Sequence, residues 1–470
     1  GHDVIGKGED QSRPAASTTS KLVSRGFVRS KTDKLMLLQG GVEGALALAV
    51  EGATALKVDV EQFSNELREA ATEELDAPDD RTIRFRLKHR FPMLAAALGK
   101  SGPNICAMMP ERLAKTDPFK QVTEMIGSGP FRFQASEHMA GSRVVYTRNA
   151  AYVPRPNGTP DFTSGPKVVH FDRVEWHVMP DAASSTAAMQ TGEMDWWENP
   201  SFDLLPVLRS ANNLKVSPLN SLGFMASMRL NHLHPPFDNP ALRRALIGAI
   251  DQEEFMTAAG TSDRRNWRTG VGYFSPTTPM SNDTDIALLT SPRDLDKVKA
   301  AIAAAGYAGE KVVVPIATDF PTFTALGNVG VDMMKKLGLN VEVKSADWGS
   351  LQRALASAEP VEKGGWSAYF AHPSGVDFAD PATHYWLRGN GRGAARGWPT
   401  SPRLEELRER WLVAPDDAAR RAIASDMQHQ AFVDVPYIPV GQLLGSTVYS
   451  KSLSGIPVGG GPLFWNVRKG

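Results

Sequence analysis

A strand, a helix and a second strand follow one another in residues 312–344, and this order decides the fold class. The stretch opens with Val312-Val-Val-Pro-Ile316, a short apolar run that predicts a buried strand. Residues 325–337 have helical spacing that ends at Gly338, and Asn340-Val-Glu-Val-Lys344 predicts the next strand. A helix that connects two strands in this order is typical of a mostly parallel α/β unit.

Residues 364–381 follow this unit and read Gly-Gly-Trp-Ser-Ala-Tyr-Phe-Ala-His-Pro-Ser-Gly-Val-Asp-Phe-Ala-Asp-Pro. The aromatic start favours a strand, and the Gly- and Pro-rich continuation favours a loop. Asp380 precedes Pro381 and the helix-compatible residues 382–387, so we predict that it caps backbone N–H groups. Asp377 has no such local role. It could meet a cationic ligand group or bond its own backbone in a turn, and the residues alone leave both open.

Size and composition indicate a globular protein with more than one core. The chain has 470 residues, so we expect two or three subdomains. Its 52 basic and 52 acidic residues balance, which gives no indication of binding to nucleic acid or to a membrane surface. No apolar run is long enough for a membrane span. The start, Gly1-His2-Asp3-Val4, carries no signal-peptide pattern, so we expect either a cytoplasmic protein or a signal that has been removed.

Residues that could carry out catalysis form no recognisable constellation. The ten histidines are scattered, and His232 and His234 have no neighbouring cysteine or acid that would complete a metal shell. The single Cys106 excludes an intrachain disulfide, and its apolar neighbours indicate a buried structural thiol. The glycine turn at residues 127–129 precedes a strand, which argues against nucleotide binding. We therefore expect no enzymatic activity, no metal and no cofactor.

The same patterns predict further elements along the chain. Residues 1–30 are polar and are predicted to be loop or disorder, and residues 231–240 look like a linker. The predicted strands are 82–87, 143–147, 174–179, 224–230, 436–440 and 445–449, and a glycine turn within residues 127–133 leads into one more. The predicted helices are 60–74, 91–98, 181–191, 241–250, 294–305, 404–412 and 416–433.

Several segments together resemble a known family, the extracellular solute-binding proteins of peptide-type ABC importers (solute-binding family 5). The most specific is Asn231-(three residues)-Pro-Pro-Phe-Asp-Asn-Pro-Ala-Leu-Arg-Arg-Ala-Leu-(three residues)-Ile-Asp251, which is similar to the family's Asn…Pro-Phe…Arg-x-Ala…Ile-Asp block. Ile126-Gly-Ser-Gly-Pro-Phe-Arg-Phe133 resembles its glycine-turn strand. Ala187-Ala-Met-Gln-Thr-Gly-Glu-Met-Asp195 resembles its helix followed by Gly-Glu-x-Asp. The order and spacing of these segments carry the resemblance over about residues 75–470.

The resemblance implies an α/β, two-lobed periplasmic-binding-protein type II fold of the large, extra-domain class, with mixed sheets and a hinged cleft. Residues 1–74 lack the family's opening blocks, so we expect an atypical segment there and leave it unassigned. The first lobe is expected at 75–235, with an extra-subdomain remnant at about 75–125. The second lobe is expected at 236–436, and the chain then returns to the first lobe at 437–470.

The implied function is that of the substrate-binding subunit of an ABC importer. It would capture a short peptide or another amine-bearing solute in the cleft and deliver it to a membrane permease. A periplasmic location, a monomer and no nucleic-acid partner are also implied. Peptide binders of the family pair the ligand's α-ammonium with an aspartate four residues before a proline, as Asp377 stands before Pro381. The expected ligand contacts are Asp377, Gly375, Ser374, His372, Tyr369, Trp366, Met228, Arg229, Trp386 and Arg388.

Other interpretations follow from where the chain departs from the family. Some peptide binders have a basic residue six positions before the aspartate, but Ala371 stands there. The ligand's carboxylate would then need Arg229, Arg388 or Arg396, or the ligand is a cation without a free carboxylate. A hydrolase that uses Asp377 or Asp380 with His372, and a relic that no longer binds, are the alternative functions.

Overall fold

A computed structural model describes residues 26–27, 34–38, 74–79, 82–87, 110–114, 124–139, 142–179, 181–459 and 461–470. The predicted helices at 60–74 and 91–98 and the thiol of Cys106 lie outside the described residues, apart from Glu74, which begins a strand. Among the helices in these ranges, none combines the length and the apolar character that crossing a bilayer requires.

The described chain alternates strands and helices through most of its length. In chain order the strands are β1 Gly26–Phe27, β2 Lys34–Leu38, β3 Glu74–Asp79, β4 Thr82–Arg86, β5 Phe131–Phe133, β6 Arg143–Arg148, β7 Arg173–Val178, β8 Trp196–Trp197, β9 Leu214–Pro218, β10 Phe224–Leu230, β11 Trp267–Arg268, β12 Lys311–Ala317, β13 Asn340–Ala346, β14 Ala368–Ala371, β15 Tyr437–Leu443, β16 Ser446–Ser450, β17 Leu453–Ser454 and β18 Arg468–Lys469. The helices are α1 Glu111–Ala114, α2 Ala182–Gln190, α3 Leu205–Ser210, α4 Pro240–Ile247, α5 Gln252–Gly260, α6 Ala287–Thr290, α7 Leu295–Ala304, α8 Pro321–Lys336, α9 Trp348–Leu355, α10 Pro402–Leu412 and α11 Asp417–Asp434.

The predicted parallel unit is confirmed. Strands β12 and β13 pair in parallel, from Lys311 opposite Asn340 to Ala317 opposite Ala346, with α8 between them in the chain. Helix α8 begins at Pro321, four residues before the prediction, because proline is well suited to the first helical turn. Inside α8, a Cβ on Gly330 would come within 1.9 Å of the Phe370 ring, so a glycine there lets the helix approach β14 closely.

The sheets are mixed, as predicted. The largest sheet has the order β5-β6-β7-β2-β8-β16-β9, with β1 also paired to β7. Strand β2 runs parallel to both β7 and β8, whereas β16 runs antiparallel to β8 and β9. A second, antiparallel sheet has the order β11-β15-β10-β14. Because Gly26–Phe27 forms β1, the prediction of loop or disorder for residues 1–30 is wrong at these two positions.

Most predicted elements are present, but short ones were missed or misassigned. Helix α5 was missed because Asp251, which begins it as its cap, looked like the end of the preceding helix; its carboxylate accepts from the backbone N of Glu253 at 3.0 Å. Helix α9 was missed as well, and Asp347 caps it through the backbone N of Ser350 at 3.0 Å.

Buried apolar side chains of the described chain gather in two clusters. The first core draws on residues 171–214 and 448–467, and the second core on residues 225–443. The chain therefore passes between the cores twice, in residues 219–223 and 444–445, which we call the two crossings. They run side by side, because the backbone N of Leu219 donates to the carbonyl of Gly445 at 2.9 Å. The predicted lobe boundaries at 235–236 and 436–437 stay predictions.

Candidate functional site

The carboxyl ends of several strands point toward the junction of the two cores. In the second core, the parallel strands β12 and β13 end at Ala317 and Ala346. In the first core's sheet, β8 and β9 both run antiparallel to β16, so both end beside the start of β16. Ligands of α/β proteins bind outside the carboxyl ends of strands, since the connecting loops there can carry varied side chains.

Four rings form a continuous cluster at this edge of the second core, which we call the junction cluster: Phe224, Phe323, Trp348 and His372. The His372 ring centre lies 5.2 Å from that of Phe224 and 4.4 Å from that of Phe323. The Phe323 ring lies 4.8 Å from Trp348. Phe224 and Trp348 are only partly buried, so the cluster has aromatic surface that a ligand can contact.

His372 brings a polar group into this aromatic surface. Its Nε2 lies 2.8 Å from the hydroxyl of Thr322, which fixes the ring. Its Nδ1 is buried and has no hydrogen-bond partner among the described residues. Burial lowers the pKa of His372 to about 4, so the ring is neutral at neutral pH. A neutral imidazole nitrogen without a partner is suited to a hydrogen bond with a ligand.

Asp319 is a second polar group at the same edge. One carboxylate oxygen accepts from the backbone N of Trp348 at 2.9 Å, and the other is buried without a hydrogen-bond partner in the described ranges. Burial raises the pKa of this carboxyl above its ordinary value. The Asp319 side chain therefore ties the start of α9 to the end of β12.

The loop after His372 is fastened through its backbone to the start of β10 and to the end of the first crossing. The N of Met225 donates to the carbonyl of Pro373 at 2.8 Å, and the N of Gly375 donates to the carbonyl of Gly223 at 2.8 Å. A Cβ on Gly375 would come within 1.9 Å of the Leu222 carbonyl oxygen, so this contact requires glycine. Half-buried Ser374 forms an isolated bridge to Phe224.

Asp377 lies two residues after Gly375, in the 3₁₀ helix Gly375–Phe378. Only 7% of Asp377 is exposed, so a charged partner there would act in a poorly solvated environment. The hydroxyl of Ser275 donates to the carbonyl of Gly375 at 2.6 Å and fixes the start of this turn. The position of Asp377 is therefore set by contacts with both the crossing and the second core.

The neighbouring Asp380 has the predicted capping role. Its Oδ1 accepts from the backbone N of Ala382 at 2.8 Å and of Thr383 at 3.1 Å. The α-helix predicted at 382–387 is wrong, since only the 3₁₀ helix Tyr385–Leu387 forms. The buried His384 directly precedes this turn, and its Nε2 lies 2.8 Å from the Tyr273 carbonyl and 3.0 Å from the Tyr437 hydroxyl.

Arg229 is fully buried, and its guanidinium group bonds to backbone in residues 386–396. It donates to the carbonyls of Arg396 at 2.6 Å, Trp386 at 2.7 Å and Ala395 at 3.0 Å. In the same region, Arg388 forms an ion pair with Glu405 at 2.8 Å. These contacts organise the loop that follows the 3₁₀ helix.

The other predicted contacts lie in the second core. Trp366 donates from its indole N to the Leu355 carbonyl at 3.1 Å, and its ring meets Tyr369 edge to face at 5.1 Å. Met228 is fully buried on β10. The predicted site residues thus separate into two groups: His372, Ser374, Gly375 and Asp377 at the junction, and Met228, Arg229, Trp366, Tyr369, Trp386 and Arg388 in what we call the framework. That any of them contacts a ligand stays a prediction.

Comparison with known proteins bears directly on what this junction is for. The sequence matches the bacterial extracellular solute-binding proteins, family 5, over residues 42–395. The chain belongs to this family. The match begins upstream of residue 75, where the sequence resemblance was expected to start. A probable peptide ABC transporter periplasmic-binding protein of Sinorhizobium fredii is 36% identical over 398 residues, which cover 84% of this chain and 74% of that protein.

Solved structures give the same fold for this solute-binding protein. The dipeptide-binding protein of Pseudoalteromonas sp. SM9913 in complex with Met-Leu has a TM-score of 0.68 at 19% identity, covering 88% of this chain and 78% of its own. The binding protein AgaA of A. tumefaciens R10 in complex with agropinic acid has a TM-score of 0.69 at 16% identity, covering 97% and 94%. The type II periplasmic-binding-protein fold is therefore confirmed.

Family membership also decides between the alternative functions and locations. Solute-binding proteins of ABC importers bind and do not catalyse, so the hydrolase that would use Asp377 or Asp380 with His372 is wrong. The same membership places the solute-binding protein on the extracellular or periplasmic side of the membrane, which rules out the cytoplasmic alternative.

Sequence reasoning missed several residues at the junction of this solute-binding protein, among them Asp319, Phe323 and Trp348. A signal for them existed, because Asp319 and Trp348 follow the two strands that were predicted to be parallel. Applying the rule that sites lie at the carboxyl ends of such strands would have pointed to both. Phe224 was predicted only as the start of a strand, and its contact with His372 comes from the antiparallel pairing of β10 with β14, which joins residues about 150 positions apart.

Proposed function

We propose that this protein captures a short peptide or another amine-bearing solute between two lobes and delivers it to a membrane permease. The observation that carries the proposal is the fastening of the Pro373–Gly375 backbone to the first crossing beside the junction cluster. This arrangement holds a buried acid and a partly exposed aromatic surface at the boundary between two cores. A solute bound there can touch both cores at once.

In this proposal the lobes correspond to the two cores, and the crossings at 219–223 and 444–445 form the hinge. The first boundary then lies before the predicted 235–236, since Met225 already belongs to the second core. The crossings are short and lie side by side, as a hinge requires. Closure of the lobes is favoured only by solutes that contact both of them.

Asp377 receives the positive end of the solute. Its position four residues before Pro381 fits the family pattern, and its burial strengthens a charge-assisted hydrogen bond with an ammonium group. A buried ion pair needs further hydrogen bonds to offset the loss of hydration. The Nδ1 of His372, which has no hydrogen-bond partner among the described residues, and the half-buried Ser374 are the neighbouring groups that can complete the set.

The relatives support a peptide or a similar small solute. The Sinorhizobium relative is named for peptide transport, the Pseudoalteromonas structure holds Met-Leu, and AgaA holds agropinic acid. We further propose a periplasmic, monomeric protein without a nucleic-acid partner, in line with the balanced charge of the chain.

Binding of matched dipeptides tests the assignment. The probes are Ala-Ala, its N-acetyl derivative, which lacks the ammonium group, and its C-terminal amide, which lacks the carboxylate. Titration by calorimetry, with the intrinsic fluorescence of the ten tryptophans as a second signal, should show binding of Ala-Ala and the amide and little binding of the acetylated form. Asp377→Asn should weaken the binding of Ala-Ala by roughly 10- to 100-fold, as expected for a lost hydrogen bond between charged groups.

Asp380→Asn is the matched control, because it makes the same change three residues away at a capping position. It should leave the affinity for Ala-Ala within about twofold, since Asp380 bonds to its own turn. Equal binding of the acetylated peptide would overturn the role of Asp377. Absence of binding by every probe would overturn the peptide assignment and favour the non-binding relic.

A further inference from the structure

Glu198 lies at the first core's side of the junction. It directly follows β8, at the carboxyl end of that strand and beside the start of the neighbouring strand β16. Only 2% of Glu198 is exposed. Its Oε2 is buried and accepts no hydrogen bond from any described residue.

A buried carboxyl oxygen that accepts no hydrogen bond from the described residues is unusual for a residue with only a structural role. Burial raises the pKa of Glu198 to about 8, and no charged group in the described part of the chain offsets this desolvation. Asp195, three residues earlier and equally buried, shows the structural alternative. Its carboxylate forms an ion pair with Lys469 at 2.9 Å. The two acids flank β8, Asp195 before it and Glu198 after it, and they are equally buried, but only Asp195 forms an ion pair among the described residues.

The residues after Glu198 lead into the candidate site. The Oδ1 of Asn199 lies 3.1 Å from the place that a Cβ on Gly445 would occupy, and Cε2 of Phe224 lies 3.1 Å from the same place. Asn199 and Phe224 therefore meet over the second crossing, and Phe224 belongs to the junction cluster. Phe202, four residues after Glu198, packs against both cores.

We propose that Glu198 is a ligand-contacting, specificity-determining residue that receives a second cationic group of the solute. The inference rests on the proposed function and adds the chemical class of the solute: a short peptide with a basic side chain, or another dication. Asp377 then takes one positive end from the second core and Glu198 the other from the first core. A solute that joins two acids on opposite cores favours closure more than one that contacts a single core.

The chemistry of the Glu198 carboxyl group fits this role. Without a ligand the carboxyl keeps its proton, because an ionised carboxylate is costly in a buried site. An ammonium or guanidinium group that arrives with the solute supplies the missing charge and lets the carboxyl ionise. Before a solute binds, the neutral Glu198 carboxyl therefore adds no unpaired negative charge to the protein interior.

Two dipeptides of nearly equal size test the inference. Lys-Ala carries a side-chain ammonium group, and norleucine-Ala has the same apolar chain without it. Wild-type protein should bind Lys-Ala roughly 10- to 100-fold more tightly than norleucine-Ala, as expected for one hydrogen bond between charged groups. Glu198→Gln should remove most of this preference by weakening Lys-Ala alone. Glu193→Gln, the same change on an exposed residue five positions earlier, should keep it.

The outcomes separate this inference from the proposed function. If wild-type protein binds both dipeptides equally well, or if the Gln variant keeps the preference for Lys-Ala, Glu198 has no part in recognition and the peptide assignment still stands. If neither dipeptide binds, both proposals are overturned. Loss of the preference in Glu198→Gln with unchanged affinity for norleucine-Ala supports the role of Glu198 and shows that the variant is folded.

Discussion

Arg229 and Glu198 both carry ionisable side chains and are almost completely buried, yet their surroundings differ. Arg229 donates to the carbonyls of Arg396, Trp386 and Ala395, whereas the buried Oε2 of Glu198 accepts from no described residue. A buried charge with hydrogen-bond partners stabilises the structure around it, and one without them is a cost to folding. The comparison teaches that burial alone does not identify a ligand-binding residue, and that the state of its partners is more informative.

The same difference separates the framework from the junction. In the framework, Arg388 pairs with Glu405 and Trp366 bonds to the Leu355 carbonyl. At the junction, buried atoms of Asp319 and His372 have no hydrogen-bond partners within the described residues. We expect substitutions in the framework to affect stability first, and substitutions at the junction to affect binding or the pH dependence of stability.

The largest effect is expected for Arg229→Met. The change leaves three carbonyls without their donor, so the free energy of unfolding should fall by about 4 kcal/mol. Thermal or urea unfolding followed by circular dichroism measures it. Arg392→Met, in the same loop but exposed, is the control and should cost less than about 0.5 kcal/mol. Equal losses in the two variants would remove the distinction between a structural and a surface arginine.

A smaller effect of opposite sign is expected for Glu198→Gln. Folding raises the pKa of this carboxyl from 4.5 to about 8, so the folded state holds the proton more tightly than the unfolded chain. The stability that this provides is complete below pH about 4.5 and is lost as the pH rises through about 8. Glutamine does not titrate, so the variant should gain a few kcal/mol, at most about 5, relative to wild type as the pH rises across that range.

Urea unfolding of wild type and Glu198→Gln at several pH values measures this gain. Glu193→Gln again serves as the control, since its side chain is exposed and its difference from wild type should not change with pH in this way. A constant difference between wild type and Glu198→Gln across the range would mean that Glu198 is paired and ionised when the protein folds. It would then belong with Arg229 among the structural charges.

The smallest effect is expected for Asp380→Ala. Removing the cap that holds the backbone N of Ala382 and of Thr383 should lower the free energy of unfolding by about 1 kcal/mol. Affinity for Ala-Ala should not change. Asp377→Asn should instead weaken the binding of Ala-Ala. If Asp380→Ala weakened this binding as well, the two aspartates would act together.

The regular elements of the fold could be predicted because their signals are local. The β12–α8–β13 unit has apolar runs, a helical period and the ending Gly338, all within one stretch of sequence. The capping role of Asp380 was predictable for the same reason. Strand β1 could not be predicted, because two residues show no periodicity and it exists only through its pairing with β7.

The site could be predicted only in part. A pattern of residues placed Asp377 on a loop, but the contact between Gly375 and Leu222 joins residues about 150 positions apart and has no local signal. Arg229 looked like a candidate for a ligand's carboxylate because sequence does not show which backbone carbonyls a buried arginine will meet. Glu198 was overlooked because the absence of a partner is a property of the folded chain.

The contact at Gly375 also has a practical consequence. Since the loop that carries Asp377 touches the first crossing through backbone atoms, we expect a solute bound at Asp377 to alter the surroundings of residues 219–223. Ser221 in that crossing is exposed. A dye attached at Ser221→Cys, in a protein with Cys106 replaced by serine, would stand outside the binding surface and still report on it. The protein thus provides an attachment point for a reagentless optical sensor of its own solute.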